Sequence, residues 1–345
     1  MSKKVTISEV AKAANVSVAT VSRILNKKDG NIKISENTKT KVLDISNSLG
    51  YQQNPFASAL RTKNTGVLGV IIRDIMDPLL SKIVKEVQNY VHEKNLELFI
   101  GHTDYQYETA KRQLNAMVNY LFDGLIILDN LSENDLFIQN IKKQGVPFVA
   151  IAGDIENFVS PVIRTDEKKG IEMAVNHLIM LEHENIGYIG NQLLGVKHRF
   201  NYFKKEIEAM KLPANSKAWQ NDIKKKSMIT DYLMNIQKLS SPPTAIVCAT
   251  DKLALQTISS AQQIGIKIPE DLSIIGFDDI EEASEYFPSL TTIQQSVSEI
   301  TATAIDQLIS MIQDKEKEYP KEQIIEPKLI VRSSTSINNH KSKHS

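Results

Sequence analysis

Thr6-Ile-Ser-Glu-Val-Ala-Lys-Ala-Ala-Asn15-Val-Ser-Val-Ala-Thr-Val-Ser-Arg23-Ile-Leu-Asn26 reads as two short helices joined by a tight turn. Thr6 is placed as an N-cap, and Glu9, three residues on, can reach back to complete a capping box. Ile7, Val10, Ala11 and Ala14 then fall on one helical face. Asn15 interrupts the pattern with a residue that tolerates left-handed backbone. Val16 restarts it, and Ser17 is a good N-cap for a second helix. There Val21, Ile24 and Leu25 form the inward stripe, which leaves Val18, Ala19, Ser22 and Arg23 facing outward. Small residues at the start of such a helix let it lie deep in a major groove. Their methyl groups can meet thymine methyls, and Arg23 can bond guanine or phosphate. The same residues also suit an ordinary helical hairpin with a solvated arginine.

The segment that follows favours the first reading. Ser35 can cap a third helix with Val42, Ile45 and Leu49 inward and Gly50 as its stop. Then comes Tyr51-Gln-Gln-Asn-Pro-Phe-Ala-Ser-Ala-Leu-Arg61. Asn54 is an N-cap, and Pro55 suits the first helical position. Asn64, Thr65 and Gly66 end this helix near Arg61, and a helix under ~12 residues is marginal alone in water. It is therefore expected to fold against something else, namely a twofold mate and a DNA minor groove. Leu60 would wedge between base pairs there. The alternative is a plain linker helix with Leu60 packed on the body.

Charge is divided along the chain. The 345 residues are 41% hydrophobic with zero formal net charge, but residues 1–61 carry a net +6 and the remainder −6. A basic head attracts phosphates, while a mildly acidic body avoids indiscriminate adhesion to DNA. The single cysteine, Cys248, cannot form an internal disulfide, which suits a reducing cytoplasm. The N-terminus has no apolar signal region, and no run is long enough to span a membrane. A cytoplasmic location without membrane association is expected. Enzymatic readings find little support. The seven histidines lack metal-ligand spacing, Gly66-Val-Leu-Gly69 lacks the spacing of a phosphate loop, and no nucleophile elbow appears. No catalytic residue, cofactor or metal site is expected.

From Gly66 onward strands and helices alternate. Val67 to Ile72, Leu96 to Ile100, Gly124 to Leu128 and Pro147 to Ile151 read as strands. Helices over about Leu79 to Lys94, Tyr107 to Tyr120 and Glu133 to Gln144 separate them. A second series sets helices at Lys168 to Leu181, Phe200 to Met210, Ser227 to Ile236 and Lys252 to Ile264. Its strands are Ile186 to Ile189, Thr244 to Cys248 and Leu272 to Phe277. Two such series imply two parallel-sheet α/β lobes. Ligands bind such sheets beyond the carboxyl ends of the strands, where Asp74, Asp77, Asp104, Asp129, Asp166, Asp251 and Asp278 stand. Carboxylates are natural acceptors for sugar hydroxyls. Several have plainer readings: Asp104, Asp166 and Asp251 can cap turns or helices, Asp129 can be solvated, and Asp279 can start a helix.

The Val-Ser-x-x-Thr-Val-Ser-Arg run of Val16 to Arg23, the Tyr51 to Leu60 segment and the alternating body resemble one family over nearly the whole chain, to about residue 335. It is the lactose-repressor/galactose-repressor (LacI/GalR) family of bacterial transcription regulators. The resemblance implies an α/β two-lobe, periplasmic-binding-protein-like core preceded by an all-α helix-turn-helix DNA-binding domain. The expected divisions are a helix-turn-helix domain over 1–61 with a hinge helix at about 54–61, an effector-binding and dimerisation domain over 62–335, and a disordered tail over 336–345. Val18 and Ala19 with Arg23 are implied to read bases, Leu60 to be the minor-groove lever, and Asn54 and Ala57 to belong to the hinge. The DNA-facing set is thus Thr6, Ser17, Val18, Ala19, Thr20, Ser22, Arg23, Asn26, Tyr51, Asn54, Ala57 and Leu60. The family's effector-contacting arginine matches Arg199, and the first Asp of its Gly-Phe-Asp-Asp segment matches Asp278. The chain is implied to cross between lobes more than once. Ser296 to Met311 would return a helix to the first lobe, and Glu326 to Val331 a strand.

Departures from the family pattern bear on the ligand. Asp77-Pro78-Leu79-Leu80 stands where Asn-Pro-Phe-Phe is usual, Glu167 replaces a usual Asn, and Ile223 aligns with an aromatic platform. Trp219 reads as a surface residue or as local packing. Lys197 and His198 make a basic edge beside Arg199, which suits a phosphorylated or acidic effector, or simply solvent. The expected function is sequence-specific, effector-controlled regulation of transcription, as a repressor of carbohydrate-utilisation genes. The partners would be double-stranded operator DNA, a second copy of the chain and a sugar or sugar-phosphate effector. The alternative is a catabolite-control-type regulator whose co-regulator is a phosphocarrier protein. The C-terminus lacks leucine heptads, so a homodimer is expected.

Overall fold

The computed structural model describes residues 5–25, 34–51, 64–120, 122–128, 136–151, 161–193 and 196–338. The chain divides into two units, the first ending at Thr65 and the second starting at Gly66.

In the first unit, helices α1 (Ile7–Ala14), α2 (Val18–Leu25) and α3 (Glu36–Ser48) follow one another. The Thr6–Glu9 capping box is formed: Glu9 Oε2 accepts from the Thr6 amide at 2.7 Å, and Thr6 Oγ1 accepts from the Glu9 amide at 3.4 Å. Asn15 closes α1 in the left-handed region at φ 54°. Ser17 Oγ accepts from the Thr20 amide at 3.1 Å and starts α2, and Ser35 caps α3 at 3.2 Å. Each such cap stabilises by about 1 kcal/mol, which counts for eight-residue helices that cannot stand alone. Val10, Ala11, Ala14, Val21, Ile24 and Val42 form the core, with Tyr51 packed against it. Leu49, expected inward, is 40% exposed. It lies past the end of α3, whose 13 residues outrun the eight of each partner.

The second unit holds two parallel sheets. The first lobe begins with β1 (Val67–Ile72), α4 (Pro78–Glu93), β2 (Glu97–His102) and α5 (Tyr107–Asn119). It continues with β3 (Gly124–Leu128), α6 (Leu136–Lys143), β4 (Phe148–Ile151) and β5 (Val162–Thr165). The chain then crosses into α7 (Glu167–Met180), β6 (Ile186–Ile189), α8 (Lys197–Ala209), β7 (Trp219–Gln220) and α9 (Lys226–Ile236). The second lobe runs on through β8 (Ala245–Cys248), α10 (Asp251–Gln263), β9 (Ser273–Asp278), α11 (Glu282–Glu285) and β10 (Thr291–Gln294). It crosses back to supply α12 (Val297–Gln313) and β11 (Glu322–Ile325), and crosses a third time into β12 (Lys328–Ile330). The strand orders are β11-β5-β4-β3-β1-β2 and β12-β10-β9-β8-β6-β7. Every pairing is parallel except β10 with β12. The central strands are apolar on both faces, as sheets covered by helices require. Val297, Ile300, Ala304, Ile305 and Leu308 of α12 complete the first lobe's core.

Three short strands, β5, β7 and β10, are not legible in the sequence because two to four residues of this kind carry too little periodicity to separate from loops. The strand returning to the first sheet is β11, not a segment within Glu326 to Val331, whose strand β12 joins the second sheet. Both candidates are short and amphiphilic, so only pairing partners distinguish them. Residues 336–338, expected in a disordered tail, are held to the body. The Ser336 amide donates to Ser273 Oγ at 3.1 Å, and the Asn338 amide to the Leu181 carbonyl at 2.9 Å. His183 bridges Thr244 Oγ1 and the Ser336 carbonyl at 2.9 and 3.0 Å. Residues 339–345 lie outside the described residues.

Candidate functional site

On the first unit, α2 presents Val18, Ala19 and Arg23 outward, with Ser17 at its start and Thr20 half-buried. Val18 is 41% exposed, a large value for an apolar side chain within a small helical core. Ser22, expected on that outer face, is buried. It sits beside Val21 in a helix packed against both α1 and α3. Thr6 is exposed but spent on its capping box, and Tyr51 belongs partly to the core. Asn26, Asn54, Ala57 and Leu60 lie outside the described residues. What the described face offers is a narrow ridge of small apolar groups with a guanidinium beside it. That form fits a major groove and its thymine methyls.

In the second unit a cleft of about 460 Å³ opens where the carboxyl ends of the two sheets' strands meet. Asp74, Asp77, Pro78, Leu79 and Tyr105 line it from the first lobe. The second lobe contributes Asn191, Gln192, Ile223, Lys224, Lys225, Lys226, Thr250, Lys252 and Asp278, among others. Asp74 Oδ1 accepts from the Met76 amide at 2.8 Å. Asp77 caps α4 through the Leu80 amide at 3.1 Å. Both are therefore fixed in direction by the backbone while still facing the cleft.

Behind the cleft lies a polar chain that joins the lobes. Arg199, on α8, is 2% exposed. Its Nε and Nη2 donate to Glu167 Oε1 at 2.8 and 2.7 Å, and its Nη1 donates to the Ala249 carbonyl at 2.6 Å and to Asp278 Oδ1 at 3.1 Å. The guanidinium carbon stands 3.9 Å from the centre of the Phe277 ring. Asp278 Oδ1 also accepts from Gln295 Nε2 at 2.8 Å, and Gln295 Oε1 accepts from Thr165 Oγ1 at 2.6 Å. Thr165 ends β5 and Gln295 follows β10, so two of the three crossing segments are tied to the carboxylate at the cleft floor. Burial raises the Asp278 carboxyl to about 7, Arg199 acting against the shift and Asp251 with it. Burial opposes the charge on Arg199, but Glu167 and Asp278 more than offset it and hold the guanidinium protonated. Asp278 also adopts φ 124° and Asp279 φ 54°, a backbone cost of about 1–3 kcal/mol each that surrounding bonds must maintain.

The other expected contacts fare differently. Asp251 is fully buried, accepts from the Ile280 amide and Thr292 Oγ1, and does not line the cleft. Thr250, not Asp251, caps α10. Gly276 is required beside Asp251, because an added Cβ would strike its carboxylate. Asp166 caps α7 through the Lys169 amide, and Asp104 is an exposed turn residue at φ 52°. Neither faces the cleft. Arg199 supports the floor from behind and is not among its lining residues. Asp129 lies outside the described residues. Asp279 starts no helix; it anchors Arg332 and Gln294 at 2.7 and 2.6 Å. Trp219 donates to the Ile186 carbonyl and packs edge-on against Phe200 and Phe203, as local packing. Sequence reasoning misses Tyr105, Asn191, Gln192 and the lysine run at 224–226; each sits in or beside a loop and carries no periodic signal. Among the described residues no group of potential metal ligands stands together, and no helix is long and apolar enough to cross a membrane.

Comparison with known proteins fits this division. Residues 6–54 match the model for bacterial regulatory proteins of the lacI family, and residues 175–335 match the periplasmic binding protein-like domain. The HTH-type transcriptional regulator DegA of Bacillus subtilis is 30% identical over 339 residues, covering 96% of this chain and 98% of its own. The lac repressor dimer bound to operator and the anti-inducer ONPF superposes with a TM-score of 0.81 at 24% identity, over 97% of this chain and 100% of its own. A LacI family transcriptional regulator from Enterococcus faecium with bound ribose gives a TM-score of 0.69 at 27% identity, over 79% and 100%. A helix-turn-helix head followed by a two-lobe periplasmic-binding-like body, matched along nearly its full length, makes this chain a member of the LacI family of DNA-binding transcriptional regulators, and not an enzyme.

Proposed function

We propose that the chain is a repressor of carbohydrate-utilisation genes that binds an inverted-repeat operator as a homodimer, with DNA affinity set by a small polyhydroxylated effector in the interlobe cleft. The observation that carries this reading is the polar chain from the cleft floor to the lobe crossings. A hydroxyl donated to Asp278 competes with Arg199 and Gln295 for its oxygens, and so bears on Thr165 and the angle between lobes. Asp77, Asn191, Gln192 and Thr250 supply further acceptors and donors around a cleft of about 460 Å³, a size suited to one small ligand. The Enterococcus faecium relative was solved with ribose, which fits the same chemistry. The lac repressor relative is a dimer on operator. In this chain Phe99 and Ile100 on edge strand β2 and Phe287 on the second lobe are exposed apolar groups suited to pairing two bodies. We place the protein in the cytoplasm, with its DNA. Coupling of roughly 1–3 kcal/mol between cleft and heads would change operator occupancy roughly 5- to 150-fold.

The Asp278 carboxyl gives the test. A ligand hydroxyl donates to the ionised form, and the carboxyl protonates near pH 7. Binding is therefore full above that value and weakens as pH falls through it. A neutral sugar that shifts the melting of the full-length protein should bind about tenfold more weakly at pH 6 than at pH 8, measured by calorimetric titration. Affinity that is flat or rises toward pH 6 would count against Asp278 as the acceptor. If no sugar binds at either pH, the effector reading falls and the phosphocarrier alternative gains.

A further inference from the structure

We propose that the effector carries an anionic group, a phosphate or a carboxylate, seated on Lys224, Lys225, Lys226 and Lys252 of the second lobe. This rests on the reading of the cleft as an effector site and names the chemistry of its ligand. The cation that sequence alone offers, Arg199, is the wrong one. It is buried, and Glu167, Asp278 and the Ala249 carbonyl already take its donors. Lys197 and His198 beside it do not line the cleft. The four lysines do, and all are solvent-exposed at its wall.

Their placement is costly without a ligand. Lys224 and Lys225 lead into α9 and Lys226 is its first residue; Lys252 is in the first turn of α10. A helix N-terminus is the positive end of the peptide dipole and disfavours cations while favouring anions. Two such ends, carrying four ammonium groups, line one cleft. The α9 terminus has no side-chain cap. Among the described residues none of the four lysines forms an ion pair; Lys226 donates to Ser259 Oγ at 2.8 Å. The cleft's carboxylates are engaged elsewhere, Asp74 and Asp77 with backbone amides of the first lobe and Asp278 with Arg199 and Gln295. The wall is thus polarised, with acceptors at one side and floor and uncompensated cations at the other. Ile223, buried beside the lysines, gives this wall no aromatic face on which a neutral ring could stack. A ligand with hydroxyls at one end and an anion at the other satisfies both sides.

The test uses the full-length protein and paired probes: ribose against ribose 5-phosphate, glucose against glucose 6-phosphate and gluconate, and inorganic phosphate alone. Melting shifts and calorimetric titrations are run on the wild type and on the Lys224→Gln/Lys225→Gln/Lys226→Gln/Lys252→Gln variant. The expected result is an anionic probe that binds at least about tenfold more tightly than its neutral twin, with that preference abolished in the variant. The phosphate and carboxylate arms identify which anion is preferred. Equal binding of neutral and anionic twins overturns the inference and leaves the cleft an effector site for neutral sugars. A preference that survives in the variant also overturns it, because the anion then sits elsewhere. Failure of every probe overturns both this inference and the effector reading.

Discussion

Replacing Arg199 with Met is expected to destabilise the body by about 3–5 kcal/mol, because it leaves Glu167 and Asp278 buried without their shared cation. Methionine fills much of the volume, so reduced packing contributes little. The deficit should depend on pH in a definite direction. In the variant Asp278, already raised by burial, loses the cation that holds it down and lies further above its unfolded value, so the native state binds more protons than the unfolded state through that interval. Stability is then fuller at low pH and falls as pH rises through the folded values. The deficit measured by urea unfolding should be smaller at pH 5 than at pH 8. Adding Glu167→Gln to the variant should recover part of the deficit, since it removes one of the stranded charges. A deficit equal at both pH values and untouched by the second change would mean that Arg199 acts through volume and not through charge.

Arg23→Ala is expected to cost about 1–3 kcal/mol for each base it reads. In a twofold pair the guanidinium disappears from both half-sites, so specific affinity should fall roughly 30-fold to 10⁴-fold. Affinity for a scrambled duplex should fall far less, because the remaining basic residues of the +6 head still meet phosphates. Fluorescence anisotropy on both duplexes, repeated at two salt concentrations, separates the roles. Equal weakening on the two duplexes with a shallower salt dependence would make Arg23 a phosphate-binding residue. Its exposure on α2, next to Val18 and Ala19, is the geometry behind the base-reading expectation.

These two arginines show what the chain discloses before it is folded. The Thr6–Glu9 box, the Asn15 turn and the Ser17 start are local, set by neighbours three residues apart, and they appear as read. The long strands and helices of the body are visible for the same reason, since one element's periodicity suffices. Ser22 departs from its expected outward place because an eight-residue helix packed between two others has little outer face left. The site is a different matter. Arg199 meets Glu167 across 32 positions and Asp278 across 79, and no spacing in the sequence encodes those approaches. Glu167 stands out in the sequence as a departure from the family, but its function as counter-ion emerges only when α7 and α8 pack together. Lys224, Lys225 and Lys226 carry no periodic signal, and only the fold brings them to the wall of a cleft. Of the seven aspartates at strand ends, the sequence singles out only Asp278, by its match to the family segment. The fold assigns Asp74, Asp77 and Asp278 to the cleft and gives Asp104, Asp166 and Asp251 to a turn, a cap and the core.

The proposed function depends on a basic head that reads duplex DNA as one half of a symmetric pair. Selection of duplexes by the full-length protein from a random pool addresses this directly. Enrichment of an inverted repeat whose half-sites lie about one helical turn apart is the predicted result. A pool that stays random, or that converges on a single unpaired half-site, would contradict it.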